Sequence, residues 1–169
     1  MVTIIRSKTN SPKMHKSKYT LLYYITISMV LTLTACQSRT VHSQYKHVPT
    51  TGWEKNDALS FSVSPLKTAG TYQEEIGVRI NHTYPFMGLT LIIDQTIIPS
   101  YETISDTLEC SLIDDDGNSK GPGIGHYQFD FLLTTLELQE GDSLHISIRH
   151  DMKREILPGI ADIGITLKK

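Results

Sequence analysis

The sequence predicts an all-β chain, an antiparallel β-sandwich of jelly-roll type, carried behind a detachable leader. Three observations predict it. From about Trp53 onward apolar and polar residues alternate with period two, the pattern of strands that bury one face. Turn residues break that alternation every eight to twelve positions, which is sandwich spacing. No convincing stretch of helical periodicity interrupts the series.

The elements follow in order. Leu59, Phe61 and Val63 alternate with serines, and Ile76, Val78 and Ile80 alternate with Glu75, Gly77 and Arg79. An apolar run extends from Leu89 to Ile98, and Leu108, Cys110 and Leu112 alternate with Thr107, Glu109 and Ser111. Tyr127, Phe129 and Phe131 form a fifth strand, Leu144, Ile146 and Ile148 a sixth, and Ile163, Ile165 and Leu167 a seventh. Between the last two, Asp151–Leu157 has room for one helical turn before Pro158. Cys110 sits on the apolar side of its strand and reads as a small buried hydrophobe.

The first 35 residues read as a leader. They carry Arg6, Lys8, Lys13, Lys16 and Lys18 and no acidic residue, whereas 11 basic and 18 acidic residues follow. The formal charge of −2 is thus the sum of a +5 segment and a −7 body. The apolar run Leu21–Leu33 has 13 residues, a signal-peptide length and short of the ~20 a spanning helix needs. Leu33-Thr34-Ala35-Cys36 resembles the lipobox of bacterial lipoproteins, and that resemblance implies cleavage before Cys36 and a covalent lipid on its sulfur. The expected organisation is leader 1–35, a flexible polar tether 36–50 and a sandwich 51–169. No acidic cluster follows Cys36, which favours the periplasmic face. The acidic body disfavours nucleic acid, whose binding requires clustered Lys and Arg.

Motifs that carry chemistry are few. Asp114, Asp115 and Asp116, with Gly117 and Asn118, offer hard oxygen ligands to calcium, but they lack the spacing and distal Glu of an EF-hand. Asp-Gly between alternating strands also signals a hairpin turn, and the turn is the expected reading. Gly121, Gly123 and Gly125 run straight into a strand and not a helix, so a phosphate-binding loop is not expected. The histidines of the body (His42, His47, His82, His126, His145 and His150) show no metal-ligand spacing and read as surface residues. No Gly-x-Ser-x-Gly or His-Glu-x-x-His occurs, and no enzyme is predicted. Tyr84-Pro85-Phe86 and the lone Trp53 have two readings. They plug the core, or they form a patch for a sugar ring or a partner protein.

Several phrases in order resemble the GldH family of gliding-motility lipoproteins. They are Trp53 with Asp57 and Phe61; Val78-Arg79; Tyr84-Pro85-Phe86 with Leu89; Asp106–Cys110; Asp114 with Gly117; and Gly121, Gly123 and Gly125. Met152 and Leu157–Gly164 complete the set, with Lys153 standing where the family pattern has Arg. The resemblance implies a membrane-anchored envelope lipoprotein, without known catalysis, that supports the motility machinery through other envelope proteins. The alternative from the residues alone is a carbohydrate-binding sandwich, with or without calcium, using Tyr84, Phe86 or Trp53.

Overall fold

The computed structural model describes Tyr23, Tyr24 and residues 40–169. The chain divides into two units, Met1–Ser38 and Arg39–Lys169. In the first, Tyr23 and Tyr24 are helical. The rest of the expected leader, and Cys36 with the first residues of the expected tether, lie outside the described residues. Among the described residues no helix is long and apolar enough to cross a membrane.

Residues 40–169 contain no helix and form eleven strands. The long ones are β1 (Thr40–His47), β3 (Leu59–Val63), β4 (Gly70–Asn81), β5 (Gly88–Ile98), β6 (Glu102–Ser111), β8 (His126–Leu138), β9 (Ser143–His150) and β11 (Ile160–Lys168). Three are two-residue strands: β2 (Trp53–Glu54), β7 (Gly123–Ile124) and β10 (Ile156–Leu157). One sheet runs β1-β11-β4-β8-β7, the facing one β3-β9-β5-β6, and β10 pairs with β2 as a ribbon. The eight long strands in these two orders form a jelly roll, as the alternation predicts. Each of the seven expected strands is present.

The core lies between the two inner faces. Ile76 and Val78 of β4 and Ile163 and Ile165 of β11 face Leu91 and Ile93 of β5 and Ile146 and Ile148 of β9, each no more than 1% exposed. In β8 the inward set changes parity. Tyr127, Phe129 and Phe131 face the interior first. The register then shifts by one at Leu133, so that Leu136 and Leu138 are the buried residues beyond it.

Two boundaries differ from the expectation. Thr40–His47 is not a flexible tether; it is β1, an edge strand paired with β11 from Thr40↔Lys168 to His47↔Asp162. Its inward positions, His42, Gln44 and Lys46, are polar, so no apolar alternation announced it. The Lys46 ammonium lies 5.6 Å from the centre of the Phe61 ring, covering the core with its stem. The domain therefore takes in Thr40–His47 and does not begin at residue 51. The helical turn expected over Asp151–Leu157 is absent as well, because Ile156 and Leu157 pair with Glu54 and Trp53 in the β10–β2 ribbon.

Candidate interaction surface

The segment after β4 turns on Asn81. The Asn81 Oδ1 accepts hydrogen bonds from the Thr83 N–H at 2.9 Å and the Thr83 hydroxyl at 2.6 Å. That turn swings Tyr84 inward to 7% exposure, where its hydroxyl donates to the Gly88 carbonyl at 2.7 Å. The Tyr84 ring meets Phe86 edge-on with centroids 5.6 Å apart. Gly159, at φ +82°, packs so closely on this turn that a Cβ there would overlap the Tyr84 backbone. Pro85 is left exposed, Phe86 half-buried and Met87 52% exposed.

Trp53 does not join that surface. It is fully buried, its indole N–H donating to the Asp57 carbonyl at 2.7 Å. Of the four residues expected as a binding patch, Trp53 and Tyr84 belong to the core, while Pro85 and Phe86 face outward. Against Trp53 stands His150, the one described histidine that is fully buried, contrary to the surface reading. Its Nδ1 accepts from the Met152 N–H at 3.4 Å, which leaves Nε2–H to donate to the Trp53 carbonyl at 3.2 Å. Burial holds its pKa below the ordinary value, so the ring stays neutral.

Phe86, Met87 and Ile113 form a ridge between two adjoining cavities of about 570 Å³ and 280 Å³. The larger is floored by Leu89 and Cys110 and walled by Met152, with Glu109, Asp115 and Lys120 at its rim. The Cys110 thiol is 2% exposed, and burial pushes its pKa up to about 12, so it supplies wall and not nucleophile. Two thioethers beside an aromatic ring make a surface able to adapt to differently shaped apolar partners.

The aspartate cluster forms a turn. The Asp114 Oδ1 accepts from the N–H groups of Asp116 at 3.1 Å and Asn118 at 2.7 Å. Gly117 supplies the positive φ of +83°. Those bonds, the one from Asn118 foremost, hold the Asp114 carboxyl below the usual carboxylate range. Gly121, Gly123 and Gly125 lead into the β7–β8 hairpin, as expected from the strand that follows them. Among the described residues no three His, Cys, Asp or Glu side chains are grouped to hold a metal ion.

One feature escaped the sequence reading. On the outer face of the five-stranded sheet, two register rows cross four strands. One is Tyr45–Gly164–Gly77–Asp130 and the other His47–Asp162–Arg79–Gln128. The two glycines clear a channel, and the Tyr45 ring lies along it, where a Cβ at either glycine would overlap the ring. The Gln128 amide donates to the Tyr45 hydroxyl and to Asp130, each at 2.9 Å. Arg79 stacks on Tyr45 with its guanidinium carbon 4.2 Å from the ring centre, and it donates to Gln128 Oε1 at 2.5 Å. Asp162 lies 3.7 Å from Arg79 and 3.3 Å from His47. Glycine inside a strand was the available signal, but what covers it depends on register.

The model of the GldH lipoprotein family matches residues 40–167, from the first residue of β1 almost to the end of β11. The chain belongs to the GldH lipoprotein family. It is 24% identical over 155 residues to a gliding motility lipoprotein GldH homolog of Christiangramia forsetii, covering 86% of this chain and 94% of that protein. It is 26% identical over 152 residues to the gliding motility lipoprotein GldH of Flavobacterium johnsoniae, with the same coverage. Among solved structures, a family 35 carbohydrate-binding module of Clostridium thermocellum aligns at TM-score 0.37 and 13% identity, over 75% of this chain and 88% of that one. A Paenibacillus cycloisomaltooligosaccharide glucanotransferase aligns at TM-score 0.37 and 16% identity, over 80% of this chain and 17% of its own. At such scores neither likeness says what this family binds. Four of the phrases that carry the GldH resemblance, far apart in sequence, meet in space. Tyr84, Phe86, Leu89, Cys110, Gly117 and Met152 all line the two adjoining cavities.

Proposed function

We propose that this chain is a lipid-anchored, non-catalytic interaction component of the gliding-motility machinery, held on a membrane of the cell envelope and facing the periplasm. The observation that carries the reading is the convergence of four separate family phrases on the Phe86–Met87 ridge and its two cavities. Residues far apart in the chain meet there on an apolar surface with a polar rim, the anatomy of a protein contact site. Supporting it, the relatives are named as gliding motility lipoproteins. The Cys110 thiol at the floor of the larger cavity is buried with its pKa raised to about 12, which supports a wall and not a nucleophile.

The anchor is the lipid on Cys36, the only cofactor-like group in this reading. An acyl chain contributes ~0.8 kcal/mol per buried CH₂, and two or more chains hold stably where one does not. With β1 starting at Thr40, only Gln37, Ser38 and Arg39 stand between the lipidated residue and the domain. Envelope proteins are therefore the expected partners, and the −7 body gives nucleic acid no purchase.

The test has two arms. Replacing Cys36 with Ala is expected to move the protein from the membrane fraction to the soluble one; retention in the membrane would defeat the anchor. A photo-crosslinker at Met87 in intact envelopes is expected to recover an envelope protein, while one at exposed Ile124 recovers none. Equal yields from the two positions, or none from Met87, would defeat the contact site.

A further inference from the structure

The four-stranded sheet ends on β6, which pairs with β5 from Gly88↔Ser111 to Ile97↔Glu102 and, among the described residues, with no other strand. On the same side of the sandwich the other sheet ends on β8, which β7 covers only at His126 and Tyr127. Every second residue of β6 thus points its backbone N–H and C=O away from the sheet, as a template for another strand. Edges of this kind are ordinarily blunted by lysine, proline, a bulge or brevity. β6 is 10 residues long, lacks lysine and proline, and keeps an unbroken register with β5. The apolar side chains along this opening are unfinished as well. Ile104 and Leu108 of β6 and Phe131 of β8 pack against the core yet are only half-buried.

We propose that β6 accepts an extended segment of a partner protein as an added strand, one that alternates apolar with cationic side chains. The inference rests on the reading of the chain as an interaction component and names the chemistry of its partner. Main-chain hydrogen bonds to β6 supply affinity, and side chains supply the choice of partner. Apolar residues of the added strand cover Ile104 and Leu108, and cations meet Glu102, Asp106 and Glu109, the charged residues of β6. Those acids also turn away a second copy of this chain, since β6 against β6 would set carboxylates together with no cation to answer them. The edge is continuous with the ridge already described. Glu109, Cys110 and Ser111 line the larger cavity, so a segment lying along β6 runs on into it.

Photo-crosslinkers placed singly at exposed Thr103 and Thr107 of the full-length protein, with Met87 beside them, test this in intact envelopes. All three positions are expected to capture the same protein. The Thr103 and Thr107 links are expected four residues apart in one partner segment, because paired strands keep step, and that segment should carry Lys or Arg between apolar residues. Glu102→Lys combined with Glu109→Lys, both at exposed positions, should cut capture at Thr107 roughly tenfold or more without changing thermal unfolding. Capture at Met87 with none at Thr103 or Thr107, links scattered over the partner or onto a second copy of this chain, or capture indifferent to the charge reversal would overturn the added strand and leave the ridge standing. No capture from any of the three would overturn the interaction reading with it.

Discussion

The domain keeps two clusters of polar side chains, one outside and one inside, and they are built by opposite rules. On the outer face of the five-stranded sheet, Tyr45, Asp130, Gln128, Arg79, Asp162 and His47 are arranged so that each has a neighbour to bond. Water reaches that face, so the partners add geometry more than they rescue stability. Inside, Glu74 lies where water does not reach, and Gln95 alone offsets its burial and the Asp106 charge. There the low dielectric makes every unmet group costly. The well-bonded cluster is thus a structural brace, and the inner one makes stability depend on whether Glu74 holds its proton.

The largest expected effect comes from inside. Raised from 4.5 to about 7, the Glu74 carboxyl binds its proton more tightly in the folded than in the unfolded chain. Its contribution is fully present below pH 4.5 and is lost as pH rises through about 7, a swing on the order of 3 kcal/mol. His150 runs the other way: burial lowers its pKa, so stability falls as acid protonates the unfolded chain first. The comparison must therefore be between wild type and Glu74→Gln, which share His150. Urea unfolding should show the wild type losing ground to the variant between pH 4.5 and 8. Parallel pH profiles would show that the inner cluster is satisfied after all.

The outer brace should respond to packing and not to pH. Gly164→Ala would place a methyl group where the Tyr45 ring lies, pushing the ring from its channel and from Gln128, for a loss of about 1–3 kcal/mol. In a Tyr45→Ala background the same substitution should cost almost nothing, because the methyl group would enter vacated space. A cost that persisted there would place the strain in the backbone and not in the ring.

Much of this architecture was legible from period two. β5 and β9 alternate cleanly because one face packs in the core and the other does not. β1 was hidden because polar His42, Gln44 and Lys46 occupy its inner positions and its stability comes from pairing with β11. The inner cluster did leave a trace: Glu74 shares the parity of Ile76 and Val78, and Gln95 that of Leu91 and Ile93. Parity alone could not set the Asp106 charge within reach of Glu74, since the two lie on different sheets. Nor could it tell Trp53 and Tyr84 from Phe86. Each of the first two is buried with its polar tip bonded to a carbonyl four residues along the chain, that of Asp57 for one and of Gly88 for the other.

The smallest expected effect tests the brace at its weakest end. His47 closes the row beside Asp162, but its side chain is 68% exposed and the pair is separated by 3.3 Å in open solvent. Side-chain entropy and screening cancel most of such a contact, so His47→Ala should change stability by less than about 0.5 kcal/mol. Arg79→Lys, two strands away in the same row, should cost more. It forfeits both the planar stack on Tyr45 and the bond from Nε to Gln128, which an ammonium cannot reproduce together. Thermal unfolding of the two variants side by side would rank them. If His47→Ala proved the more damaging, the row would be anchored at the β1 edge and not on the Tyr45–Arg79 stack.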